Sequence, residues 1–211
     1  MATRGRGVWM LAAGALALLL GGCHRSSIAP ALGAGDRDRL YAAVLREIRR
    51  APANQLIVID TLLPADGLDD DVAFGLVESL SISRADVSAL LLAQRRGGAR
   101  VSAGMLPDAK WSTVSLRAID SLRAVALQER VAAAPVAQAR DAFWRHWNRA
   151  FPESGGYVIL SPAGLSADGS MALVHVQRAC GPLCGDAEVR LLRRDARGQW
   201  STTRRVPISI S

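Results

Sequence analysis

The apolar period of the chain changes at Pro152, and that switch limits the folds open to it. Up to that point hydrophobic residues recur at threes and fours, as on one side of a helix, whereas residues 153–211 alternate as strands do. Candidate strands are Tyr157 to Leu160, Met171 to Gln177, Ala187 to Arg194 and Trp200 to Ile208, parted by Gly-, Pro- and Asp-containing turns. Helices followed by consecutive strands bury their apolar faces most simply as an α+β fold, with the strands in an antiparallel β-meander. Pro135 opens the helix before the switch, where Val136, Arg140, Phe143, Trp147 and Phe151 recur at fours and threes beside Trp144. This Trp-rich helix is expected to lie across one face of the meander.

Further upstream, Asp36 to Arg50 reads as an amphipathic helix with Leu40, Tyr41, Val44 and Ile48 on its apolar stripe, stopped by Pro52. Leu56 to Ile59 is a short β-branched run, a buried strand. A second helix begins at Asp69 to Asp71 and turns Val72, Leu76, Val77 and Leu80 inward. Ser83, with Asp86 three residues on, caps a third. Between Arg100 and Ala134 the pattern weakens to a strand at Trp111 to Leu116 and a helix at Leu122 to Val131.

The last hairpin admits a register argument. If Asp195 to Gly198 form its loop and Arg194 pairs with Gln199, then Val189, Leu191 and Trp200 share a dry face. Glu188, Arg190, Arg194 and Arg205 share a wet one, with Glu188 opposite Arg205.

At the other end of the chain, two arginines precede the apolar run Val8 to Leu20, and Gly21, Gly22 and Cys23 follow it. A charged start, a short apolar stretch and small residues mark a secretory leader, and the run falls short of the ~20 residues a membrane span needs. Leu20-Gly21-Gly22-Cys23 resembles the lipobox of bacterial lipoproteins. The resemblance implies that residues 1–22 are removed, that Cys23 is lipidated with chains such as palmitate, and that the protein is held to a membrane. His24 stands where inner-membrane retention signals carry Asp, which by the same analogy implies the outer membrane, facing the periplasm, in a cell with two membranes. Residues 23–35 then form a flexible tether, and 36–211 a single α+β domain whose C-terminal part, 153–211, is β-rich.

Removing 22 of the 211 residues leaves 189, enough to bury a core without help from metal. The net charge of +7 includes Arg4 and Arg6 of the leader, so the mature body is only mildly basic and is not expected to bind nucleic acid.

Cys180 and Cys184 enclose Gly-Pro-Leu at a turn between strands. In an exported chain they are expected to form a local disulfide, although the same spacing is compatible with free thiols or a redox or metal role. His24, His146 and His175 belong to no paired-ligand spacing, and no GxSxG elbow, GxGxxG turn or phosphate loop occurs. Asp66, Asp69, Asp70 and Asp71 lack EF-hand spacing and have a helix-dipole explanation. No catalytic residue, cofactor or metal site is therefore assigned. Arg178, Arg190, Arg193, Arg194, Arg204 and Arg205 read first as a solvated sheet face, and second as a surface for anionic polymer or lipid head groups.

The C-terminal third carries a second resemblance. Phe143-Trp144, Phe151-Pro152, Gly155-Gly156, Leu160-Ser161, Ala172-Leu173-Val174, Cys180-Gly181, Leu183-Cys184-Gly185, Leu191, Gly198, Trp200 and Ile210-Ser211 resemble a segment of a family of uncharacterised exported bacterial proteins. That family brings no activity. The expectation is a lipid-anchored cell-envelope protein with a noncatalytic body that binds or inhibits another envelope component. The alternatives are an envelope hydrolase with a site assembled from distant residues, and an anion-binding module using the arginine-rich sheet face.

Overall fold

The computed structural model describes residues 32–48, 55–63, 70–95, 99–108, 110–131 and 136–210. The leader, Cys23, most of the tether, Pro64, Gly67 and Pro135 lie outside the described residues. In chain order the elements are α1 (Ala34–Arg46), β1 (Gln55–Ile59), α2 (Asp70–Leu80), α3 (Arg84–Arg95), a 3-10 turn at Ala103–Met105, β2 (Trp111–Val114), α4 (Leu116–Val131), α5 (Val136–Ala150), β3 (Ser154–Leu160), β4 (Gly164–Leu165), β5 (Met171–Gly181), β6 (Cys184–Arg194) and β7 (Trp200–Ile210). Among the described residues the fold is α+β on one mixed sheet. Its strands run β2-β1-β3-β5-β6-β7, with β4 paired to β5. β1 lies parallel to β2 and β3, and every other pairing is antiparallel.

The N-terminal strands thus belong to the same sheet as the meander. Parallel neighbours need crossover connections, and helices supply them. Ser83 caps α3 as expected, its Oγ accepting from the Asp86 N–H at 3.1 Å. α4 starts six residues before the expected Leu122 because Ser115 is its cap: Ser115 Oγ accepts from the Ala118 N–H at 3.2 Å, and Asp60 Oδ1 accepts from the Leu116 N–H at 3.1 Å.

Helices cover both faces of the sheet. On one face α1 lays Leu40, Tyr41 and Val44 against Val58, Val158, Val174, Leu192 and Trp200. Tyr41 donates its hydroxyl to the Ser161 carbonyl oxygen at 2.9 Å, and burial pushes its phenol pKa upward. On the opposite face α2 and α3 cover Leu173, Val189 and Leu191, while α5 and α4 cover Ile57, Ile59 and Tyr157.

This two-sided cover corrects the hairpin reading. Arg194 pairs with Trp200, Arg190 with Arg205 and Glu188 with Pro207. Gln199 belongs to the loop, where Asp195 Oδ1 accepts the Arg197 and Gln199 N–H groups at 2.9 and 2.8 Å, so the loop holds one residue more than expected. A bulge between Leu191 and Leu192 shifts the register again. Trp200 therefore shares its face with Leu192 and Arg190 rather than with Val189 and Leu191, and that face is dry: Arg190 is only 2% exposed.

Candidate functional site

Phe143 and Trp147 of α5 and Phe151 just past its end follow one another by four residues, so their rings line one face, with Trp144 beside them. Tyr157 of β3 joins this group. Its ring stacks on Trp144 with centroids 5.8 Å apart and lies 5.0 Å from Trp147. Phe143 meets the edge of Trp144 at 5.4 Å. Arg145 and His146 on α5 reach Glu129 on α4 at 3.3 and 2.8 Å, holding the two helices side by side. The His146 hydrogen bond is the main cause that holds the Glu129 carboxyl below its usual range.

The other wall is the end of the β5–β6 hairpin. It comes close to β3 only because residue 156 is glycine: φ is +113°, and a Cβ there would stand 2.0 Å from the Ala179 carbonyl oxygen. Cys180 and Cys184 stand at disulfide distance across the hairpin end, with Cα atoms 5.1 Å apart. This is the pairing expected from the sequence.

Between α4, α5 and the hairpin lies an open cleft of about 420 Å³, with Leu127, Arg140, Trp144, Tyr157, Ala179 and Cys184 among its lining. Leu127 is half exposed at its rim. Among the described residues, three arginines, Arg123, Arg140 and Arg178, line it against one acid, Asp186. Arg178 and Asp186 engage each other at 2.7 Å, and Arg123 reaches Asp120 at 3.5 Å on the same helix. Arg140 is exposed and makes no ion pair with a described residue, and neither the Trp144 indole N–H nor the Tyr157 hydroxyl hydrogen-bonds to one. The cleft thus offers unused donors beside apolar side chains.

The remaining candidates are dispersed. Cys23 and His24 lie outside the described residues, as do Asp66 and Asp69 and the side chains of Asp70 and Asp71. His175 is buried in β5, its backbone N–H donating to Ser161 Oγ at 2.9 Å, and neither it nor His146 lines the cleft. Among the described residues no group of three or more His, Cys, Asp or Glu could hold a metal ion. No helix among the described residues is long and apolar enough to cross a membrane.

The arginines of the sheet are largely engaged: Arg190 with Glu188 and α1, Arg194 with Asp36 at 2.8 Å, and Arg205 with Glu47 at 2.7 Å. A second groove, of about 490 Å³, contains Glu47, Glu188, Arg190 and Arg205, whose charges satisfy one another. The reading of these arginines as a solvated face is corrected for Arg190, which α1 covers.

The spacing of α5 puts Arg140 on its apolar stripe, which hides the cleft from a reading of the sequence. An arginine at that spacing was itself the signal, since a charged group among aromatic rings needs a reason to be there. Comparison with protein-family models, curated proteins and solved structures finds no match to the chain.

Proposed function

We propose that this chain is a lipid-anchored protein of the cell envelope whose α+β body is a noncatalytic binding module, with the cleft between α4, α5 and the β5–β6 hairpin as its site. The observation that carries the binding reading is the set of donors on Arg140, Trp144 and Tyr157 that have no partner among the described residues, beside apolar lining. The anchoring half rests on the leader and Cys23, where two or three acyl chains would hold firmly and one would not. Anion binding, which the sequence suggests for the sheet face, fits the cleft better because Arg190, Arg194 and Arg205 of the sheet are paired with Glu188, Asp36 and Glu47.

The placement of the cleft suits such a role. The chain enters the described body beside Asp36, which pairs with Arg194 at the far end of β6, whereas the cleft borders Asp186 near its start. The two positions are eight residue steps apart along the strand, about 25 Å. A body tethered through Cys23 would then have its entry point and its cleft at different ends of β6. The hydrolase alternative draws on the His146–Glu129 pair at 2.8 Å, to which no hydroxyl of a described residue is joined.

Two measurements test the proposal. An alkyne-tagged palmitate fed to cells should label the full chain and not the Cys23→Ala variant, and only the former should sediment with membranes. Labelling that survives Cys23→Ala, or an uncut leader by intact mass, would overturn the anchor. A photo-crosslinking residue at Leu127 should give discrete adducts in cells where one at exposed Gln199 gives none; equal patterns would overturn the binding site.

A further inference from the structure

The geometry points to a ligand class for the cleft: a small amphipathic carboxylate, its charged end on Arg140 and its apolar body against Leu127, Ala126 and Ala179. This inference rests on the reading of the body as a binding module and does not depend on Cys23.

Charge sets the first requirement. The described lining offers three guanidinium groups and one carboxylate, and that carboxylate is committed to Arg178. Of the polar lining groups at Arg140, Trp144 and Tyr157, the guanidinium and the indole only donate and the phenol can donate, so a visitor that supplies acceptors is favoured. A guanidinium can take both oxygens of a carboxylate in two parallel hydrogen bonds, a match that a neutral amide lacks. Desolvated neighbours strengthen such a bond, and Trp144 and Tyr157 are each only 8% exposed.

Size and polarity set the second. The volume of about 420 Å³ is that of a small-molecule site, and side chains of Ala126, Leu127, Phe143 and Ala179 give the body of the ligand an apolar surface. A bare inorganic anion would leave that surface wet, and a neutral hydrocarbon would leave the donors unpaired. An apolar body bearing a single carboxylate satisfies both. Aryl and acyl acids share this chemistry, so both enter the test.

The full chain, reconstituted in nanodiscs of zwitterionic phospholipid, should be titrated calorimetrically with 2-naphthoate and with octanoate, each beside its primary amide, with empty nanodiscs as blank. Saturable binding of at least one acid, about tenfold tighter than its amide and weakened by salt, supports the inference. Which acid binds separates an aryl from an acyl ligand. Arg140→Gln should lose about tenfold in affinity with an unchanged unfolding midpoint, because the side chain is exposed and carries no ion pair with a described residue. Exposed Arg193→Gln should bind as the parent does. Tyr157→Phe, which removes only the hydroxyl, should weaken the acid more than its amide.

Equal affinity for acid and amide, no saturable binding of either acid, or equal losses in the Arg140 and Arg193 variants would each overturn the assignment. If both acids fail while Leu127 still crosslinks to a discrete partner, the ligand class falls and the binding-module reading stands.

Discussion

The Arg190 guanidinium, buried within the sheet, donates from Nη1 to the carbonyl oxygen of Val44 at 2.6 Å, closing the C-terminal end of α1. The last four carbonyls of a helix lack internal partners, and a cation there also meets the negative end of the helix dipole. The same guanidinium is held by Glu188, with Nε at 2.6 Å, and stands 3.8 Å from Glu47. One side chain thus joins β6, the strand next to the sheet edge, to the helix that covers it. Replacing it with Met keeps the volume, strands the Glu188 carboxylate and leaves the Val44 carbonyl only the Glu47 N–H at 3.3 Å. Arg190→Met should cost about 3 kcal/mol in urea unfolding, and Arg190→Lys a substantial part of that, since an ammonium cannot span both partners. A loss below about 1 kcal/mol for Met would show that water replaces the network.

Gly156 sets the spacing between β3 and β5. A Cβ there would lie 2.0 Å from the Ala179 oxygen and 2.8 Å from the Cys180 Cα, both backbone atoms that cannot step aside. Gly156→Ala should destabilise by about 3 kcal/mol, from left-handed strain and displaced strands together. Gly198, at φ +77°, faces only the flexible Arg194 side chain, so Gly198→Asn should cost less than about 1 kcal/mol. Equal losses at the two sites would refute the close-approach account.

Much of this fold could be read from the residues themselves. Short-range signals were legible: Ser83 with Asp86 placed α3, the aromatic spacing placed α5, and alternation placed the long strands. What failed depended on what covers a surface. Sheet alternation reads as dry and wet faces only when one face meets water, and here α1 lies over the second face, burying Arg190 and turning a presumed surface arginine into a cap. The register failed for a local reason, the Asp195 side chain drawing Gln199 into the loop. The cleft was hidden because Arg140, Tyr157 and Asp186 are far apart in sequence and meet only once β5 folds back beside α5.

Cys180 and Cys184 bracket the hairpin that walls the cleft. If oxidised, the pair closes a five-residue loop, for which chain entropy gives about 2 kcal/mol of stabilisation. Alkylation of unreduced protein under denaturing conditions should leave both thiols unmodified, and reduction should expose two and lower stability by that amount. Two alkylated thiols before reduction would show the pair to be free in the protein as isolated.

Asp168 gives a pH signature to the turn between β4 and β5. Its Oδ1 accepts from Ser166 Oγ at 2.6 Å and from the Ser170 N–H at 3.0 Å, and its Oδ2 accepts from Ser170 Oγ at 2.7 Å. These bonds favour the carboxylate, Ser166 contributing most, and hold its pKa down from 3.8 to about 2. The sign follows from proton counting. In the pH range between the folded and unfolded pKa values the unfolded chain binds the proton more readily, so falling pH favours unfolding there. The contribution is fully present above the ordinary value near 3.8 and fades as pH falls through about 2. Asp168→Asn lacks a titrating group at this position. The stability gap between parent and variant should therefore be constant from neutral pH down to about 5, and should narrow steadily below about 4. The carboxyl resonance of Asp168 should titrate with a midpoint of about 2. A midpoint at the ordinary aspartate value, or a gap that does not narrow in acid, would mean that the serine hydroxyls turn to water in solution and leave the carboxylate unsupported.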